Sequence, residues 1–340
     1  MSTVAFVTQA KARHRLSYQE AIRDVDAITA AVLVDPTGTT FEESQVKIGG
    51  KFKKGYPSVA EMLRRKERPA MAIVSLIASE APAVIASLLE AGIPVMAEKP
   101  ACVKPADFAR LVELGERRGA PLMLALANRL APWVEDARRI VQGGGIGKLY
   151  AVRGLTLADQ TRIWTKPDWA LVKAQGGGGH LIWLGVHWLD ALTFITGDRI
   201  TAVQAMCPLV GGASIDVEDL SLVNFTLASG AHGTLTAGYL LDRWYQQDMT
   251  FWGAQGWVRF GAADKNELEW HGTHPAMNEN PDRRFTYNTF GGGYTPWIRE
   301  CLRASLGEIA PPITGADGLS VLRTIFAAYA AAASGRTVQV

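Results

Sequence analysis

Cysteine is scarce in this chain: Cys102, Cys207 and Cys301 are the only three in 340 residues, far apart and in no paired metal or redox spacing. That argues against a disulfide framework and points to free thiols in a reducing compartment. An excess of either charge is missing too. The formal net charge is +2, from 35 basic and 33 acidic residues, which speaks against a nucleic-acid or membrane-surface partner. No apolar run is long enough to cross a bilayer, since "TIFAAYAAAAS" at 324–334 is too short and too rich in alanine. The opening "MSTVAFVTQAKARHR" places its apolar run ahead of its basic cluster, the reverse of a secretory signal. Internal repeats, low-complexity linkers and nucleophile motifs built on serine or cysteine are absent as well. The expectation is a cytoplasmic protein.

What is present is a globular balance, 48% apolar and 20% charged, at a length that suits two domains. Short apolar runs at 4–7, 31–34, 71–76, 94–98 and 122–127 alternate with helical punctuation. Ser58 and Glu61 form a capping-box pattern, "SEAPAVIASLLEAG" ends at Gly92, and Pro105 opens a helix that stops at Gly119. Buried strands alternating with helices predict a parallel sheet covered on both faces. From about residue 148 the pattern changes to half-apolar alternation at 150–157, 220–228, 232–240, 249–253 and 257–260. This predicts antiparallel strands, with helices at 180–195, 295–306 and 316–334. The fold class is therefore an N-terminal doubly wound α/β sheet followed by an α+β domain with a mainly antiparallel open sheet.

Two stretches carry candidate chemistry. In "MAEKPACVKP" an acid, a base and a proline, Glu98, Lys99 and Pro100, follow directly on an apolar strand. Ligands of an open parallel sheet collect beyond the carboxyl ends of its strands. Proline forces Lys99 out of the helical region, turning its ammonium toward a ligand oxygen or simply into a polar loop. The second stretch is "QGGGGHLIWLGVHWLDAL". Four glycines allow close backbone approach to a ligand. A regular helix after them puts His180, Trp183, Leu184 and His187 on one face, with Asp190 placed to orient His187. No metal is expected: His271 and His274 in "HGTH" have no nearby carboxylate. Cys102 reads as an inert small residue.

Taken in order, "EKP" followed about eighty residues later by "GGGxxxxxGxHxxD" resembles the glucose–fructose oxidoreductase/inositol dehydrogenase (Gfo/Idh/MocA) family. "LLEAGIPVMAEKP", "VQGGGIGKLYAVRG", "TFWGAQGWVRF" and the closing "ITGADGLSVLRTIFAAYAAAASGRTVQV" extend that resemblance over most of the chain. The resemblance implies a dinucleotide-binding Rossmann domain over residues 1–125. Residues 126–340 would form a substrate-binding and oligomerisation domain, with the closing helix 316–334 able to pack back on the first. It also implies an NAD(P)-linked oxidoreductase acting on a sugar, cyclitol or related polyol, assembled as a homodimer or homotetramer. Lys99 would contact the reacting oxygen and, with Glu98 and Pro100, the cofactor, and His187 would serve as general acid and base, with His180 in reserve. The chemistry suits them, because a secondary alcohol must lose a proton and a cation stabilises the charge left behind.

Three departures from the family pattern stand out. Trp183 occupies the position of the usual aspartate four residues before the histidine, where it would form a stacking wall against a sugar ring. Trp169 and Trp188 are further candidates for that pocket or for the core. The first βα turn carries Thr8, Gln9, Ala10, Lys11, Ala12 and Arg13 in place of G-x-G-x-x-G. Thr8 and Ala10 are small, and Lys11 and Arg13 would meet phosphates by charge. Asp35, ending the second strand, reads either as the acceptor for the adenosine ribose hydroxyls or as a turn residue before Pro36. The first reading favours NAD(H) and leaves NADP(H) open. Ala81 stands where the family commonly carries a histidine. Two other functions are kept beside the dehydrogenase: a redox-neutral NAD-using lyase or glycosidase, and a cofactor-less sugar-binding or partner-binding protein.

Overall fold

The computed structural model describes residues 2–340 apart from 165–167, 213, 263–264, 276–281 and 289–292. The elements of the first third are β1 (Ser2–Val7), α1 (Arg15–Asp24), β2 (Ile28–Val34), α2 (Phe41–Ile48), β3 (Phe52–Tyr56), α3 (Val59–Arg64), β4 (Met71–Val74), α4 (Ala81–Glu90), β5 (Val95–Ala97), α5 (Pro105–Arg118) and β6 (Leu122–Leu124). There follow α6 (Pro132–Gln142), β7 (Leu149–Leu157), two single-turn helices α7 (Gln160–Ile163) and α8 (Lys173–Gly176), and α9 (Val186–Thr196). The remainder runs β8 (Ile200–Met206), β9 (Leu220–Leu227), β10 (His232–Gly238), β11 (Gln246–Gly253), β12 (Gly256–Ala262), β13 (Lys265–Gly272), β14 (Asp282–Thr286), α10 (Tyr294–Ser305), α11 (Gly315–Ser334) and β15 (Val338–Gln339).

The chain divides into two compact units, Met1–Ala127 with Ala174–Gly177 and Gly293–Leu319, and Asn128–Lys173 with Gly178–Gly292 and Ser320–Val340. In the first, six parallel strands lie in the order β3-β2-β1-β4-β5-β6. This is the doubly wound dinucleotide-binding order, whose reversal beside β1 marks where ligands gather. Every residue of β4, β5 and β6 is buried, as a sheet covered on both faces requires. The punctuation works as read: Ser58 accepts from the Glu61 N–H at 3.1 Å, Pro105 starts α5, and Gly119 ends it in the left-handed region. Strand β3, "FKKGY", was not foreseen, because an edge strand with exposed Lys53 and Lys54 lacks the continuous apolar run of its neighbours.

The second unit holds a nine-stranded sheet in the order β14-β13-β12-β11-β7-β10-β9-β8-β15. Its neighbours pair antiparallel except β7 with β10, which run parallel. The five expected strands are present, whereas β8, β13, β14, β15 and the helix α6 were not anticipated. Helix α6 packs on β12, β13 and α9, and so covers part of one sheet face. No helix among the described residues is long and apolar enough to cross a membrane.

Candidate functional site

In the first unit, strand β5 runs directly into Glu98, Lys99 and Pro100, the last two joined by a cis peptide bond. The Glu98 N–H continues the sheet by donating to the Val74 carbonyl at 2.7 Å, so the sheet itself fixes where the turn begins. Lys99 is only 3% exposed. Burial brings its ammonium down to about 8; the neighbouring Glu98 opposes this and the Arg13 guanidinium adds to it. A lysine in that range exchanges its proton near neutral pH. Glu98 is buried as well, which pushes its carboxyl up. The His14 imidazole, the Lys99 ammonium and the Tyr18 hydroxyl outweigh burial and hold it below the usual carboxylate range.

The turn between β1 and α1 lies beside this point. Ser75, just past β4, donates its hydroxyl to the Arg13 carbonyl at 2.6 Å and so ties the turn to the neighbouring strand. Thr8 is buried and its hydroxyl has no hydrogen-bond partner among the described residues, while Ala10 and Lys11 are exposed. Helix α1 begins with no side-chain cap and no acid in its first turn. Uncapped N–H groups with Lys11 and Arg13 just ahead fit an anionic dinucleotide phosphate without the usual glycines. Thr8, Ala10, Lys11 and Arg13 are the residues that would hold it.

Asp35 behaves as the turn residue of the two readings. Its carboxylate accepts from the N–H and hydroxyl of Thr37 at 2.9 and 2.8 Å, and from the same groups of Thr40 at 2.9 and 2.8 Å. A carboxylate offers about four acceptor positions, and the loop's own residues occupy that number. Burial raises its pKa, but the hydrogen bonds from Thr37 and Thr40 outweigh it and hold the group below the ordinary aspartate range.

In the second unit the glycine run has a different use from the one expected. A Cβ on Gly178 would overlap the Tyr329 hydroxyl, and one on Gly179 would overlap the Glu218 carbonyl oxygen. The close approach is thus to the protein's own chain. Glu218 accepts from the Gly179 and Leu181 N–H groups at 2.7 and 3.1 Å and from the Tyr329 hydroxyl at 2.9 Å. Burial pushes its carboxyl above the usual range despite these donors.

The stretch that follows is not one regular helix. Residues Leu181–Gly185 form a π-helical turn before α9 begins. The wider turn breaks the spacing that would align His180 with His187. His180 is completely buried, its ring edge-on to Tyr239 with centroids 4.8 Å apart, whereas Leu184 and His187 stay partly exposed. Trp183 is enclosed at 2% exposure and packs edge-on against Trp169 at 5.0 Å. The expected stacking wall therefore presents no open ring face. Trp188 stacks on Phe260 at 6.0 Å and belongs to the core. Asp190 is buried and accepts from Arg129 through both oxygens at 2.7–3.1 Å.

Several residues of these networks went unnoticed in the sequence: His14, Tyr18 and Tyr294 around Glu98, Arg129 on Asp190, and Glu218 with Tyr329 under the glycines. The one available signal was Glu218-Asp219, an acidic pair set between apolar runs. Cys102 is buried and its thiol is pushed up to about 12, in keeping with an inert role. Among the described residues, no cluster of His, Cys, Asp and Glu could hold a metal ion.

Comparison with known proteins adds to this geometry. A model described as an oxidoreductase family with an NAD-binding Rossmann fold matches residues 7–126, and one for the GFO/IDH/MocA C-terminal domain matches residues 134–259. The chain is 28% identical to trans-1,2-dihydrobenzene-1,2-diol dehydrogenase of Bos taurus, over 66% of this chain and 67% of that one. It is 24% identical to D-apiose dehydrogenase of Paraburkholderia graminis, over 95% of this chain and 86% of that one. Among solved structures, the WlbA dehydrogenase of Bordetella pertussis in complex with NADH and UDP-GlcNAcA shares the fold. Its TM-score is 0.84 at 19% identity, covering 100% of this chain and 98% of that one.

Proposed function

Since this chain belongs to the GFO/IDH/MocA family of NAD-binding oxidoreductases, we propose that it moves a hydride to or from a secondary hydroxyl or ketone of a sugar, cyclitol or related polyol. The observation that carries this reading is Lys99, buried at the carboxyl end of β5 with its pKa brought to about 8. As an ammonium it donates to the substrate oxygen and stabilises the negative charge that develops there on oxidation. His187, the partly exposed imidazole of α9, takes the hydroxyl proton as the carbonyl forms and returns it in the reverse direction. A bound nicotinamide supplies the hydride acceptor or donor. The names of the two relatives, a dihydrobenzenediol dehydrogenase and an apiose dehydrogenase, support a substrate with neighbouring hydroxyls.

NAD(H) is favoured over NADP(H), because Asp35 keeps a carboxylate at the end of β2 that disfavours a further phosphate. Three unpaired cysteines support a cytoplasmic setting. The test is kinetic. Lys99→Met and His187→Ala should each lower turnover by roughly a hundredfold or more, the usual scale for a lost electrostatic or acid–base partner. NADH binding, followed by its fluorescence, should be retained in both. The double variant should lose much less than the product of the two, since groups serving one proton transfer are not additive. Full turnover in Lys99→Met on the true substrate would sink the proposal.

A further inference from the structure

Glu98, the acid ahead of Lys99, has no part in the reaction just described, yet the first unit is built closely around it. Its Oε2 accepts from the hydroxyl of Tyr18, a buried residue of α1. Its Oε1 lies 3.2 Å from Nδ1 of His14 and 4.0 Å from Nζ of Lys99. Tyr294, the first residue of α10, packs on both holders, with ring centroids 5.1 Å from His14 and 4.7 Å from Tyr18. The end of β5, the turn before α1 and α1 itself thus meet at one carboxylate, and α10 packs on the two side chains that hold it.

Two details set this apart from an ordinary helix anchor. A buried carboxylate is costly unless charges and hydrogen bonds compensate it; here Oε2 is hydrogen-bonded by Tyr18, whereas Oε1 is offset by its charged neighbours His14 and Lys99 and has no hydrogen-bond partner among the described residues. His14 also holds a left-handed backbone, φ 53°, which side chains bearing a Cβ rarely adopt. That conformation sits at the residue whose imidazole reaches Glu98. With a side chain 37% exposed, His14 is where the network meets solvent; the Glu98 and Lys99 side chains are each 3% exposed.

We infer that Glu98, held by Tyr18 and His14, is the positioning residue that keeps Lys99 in place as a cation for the substrate oxygen. The inference rests on the role proposed for Lys99. The charged and titratable groups around the pair are His14, Arg13, Tyr18, Tyr294 and, on Tyr18, Cys301. Glu98 and Arg13 act on Lys99 with opposite signs.

That opposition gives the test. The lysine side-chain resonances of the full-length protein are titrated by NMR without substrate or cofactor, with Lys99 assigned from its loss in Lys99→Met. In Glu98→Gln the Lys99 midpoint should fall by about one unit, the scale of a lost opposite charge at this range. In Arg13→Gln it should rise. Turnover in Glu98→Gln should fall mainly through kcat, and its alkaline limb should move to lower pH by the same interval. Tyr18→Phe keeps the carboxylate and serves if Glu98→Gln does not fold; it should lower kcat several-fold with KM little changed. A Lys99 midpoint that ignores Glu98→Gln but follows Arg13→Gln would overturn this inference alone. Full turnover in Lys99→Met would overturn the proposed function and this inference with it.

Discussion

Asp35 shows what a single side chain does when its own loop saturates it. Four donors from Thr37 and Thr40 converge on the carboxylate, so its first task is to hold the loop after β2. Asp35→Asn turns one acceptor into a donor that faces those N–H and hydroxyl groups. The expected cost is about 1–3 kcal/mol at pH 7, the range for leaving such groups unsatisfied. The sign of the pH dependence follows from the lowered pKa. Stability from the ionised carboxylate is present above the unfolded aspartate value of about 4 and disappears as pH falls through the lower folded value. The gap between wild type and Asp35→Asn in urea melts should therefore narrow in acid. A gap of constant size would mean that the charge is not what the loop uses. At this scale the sequence was partly legible. Lys99 was visible because an acid, a base and a proline interrupt an apolar strand. The partners of Glu98 were not, since His14, Tyr18 and Tyr294 are ordinary in their local contexts and meet only in three dimensions.

Among elements, the segment from Gly176 to Thr196 departs most from its reading. The apolar pattern predicts a continuous helix, and nothing in it signals the π-helical turn at Leu181–Gly185. A wide turn keeps the same residue types and changes only which of them share a face. The glycines before it are set by sterics at Glu218 and Tyr329. Gly179→Ala should cost more than about 2 kcal/mol in a thermal melt, because its Cβ meets a backbone oxygen that cannot move aside. Gly92 has a left-handed φ of 72° and no atom within 4 Å of a Cβ. Gly92→Ala should therefore lose only about 1–2 kcal/mol, the cost of conformation alone. Equal losses would remove the clash from the account. The parallel strands were legible because a sheet buried on both faces writes itself as unbroken apolar runs. Edge strand β3 and the outer strands β8, β13 and β14 carry half of that signal or less.

At the scale of the molecule, the nine-stranded sheet has two unlike faces. Val152, Phe225, Leu235 and Phe251 point one way and are buried, whereas Leu155, Met206, Leu222 and Trp252 share the other by strand register. Met206 is 64% exposed, Leu222 40% and Trp252 38%. Large apolar side chains exposed on a sheet face invite a second copy. Light scattering at micromolar concentration should give two or four times the 36.7 kDa chain mass, and Leu222→Glu with Trp252→Glu should return it toward one. A monomeric wild type would count against assembly through this face.

The place of β7 in that sheet bears on how the chain comes to be folded at all. Ala151 is bonded on one side to the strand of His232 and on the other to the strand of Trp252, both far ahead in the chain. The runs β8-β9-β10 and β11-β12-β13-β14 can each form from successive neighbours, but neither can dock until β7 is inserted between β10 and β11. Closing so long an intervening segment costs entropy before any pairing rewards it, which makes such steps slow. On the ribosome, β7 emerges early and must wait, unpaired along one edge until β10 follows it and along the other until β11 does. Over that interval the nascent chain depends on its already completed parallel sheet, and the exposed β7 is the segment a chaperone would be expected to shield.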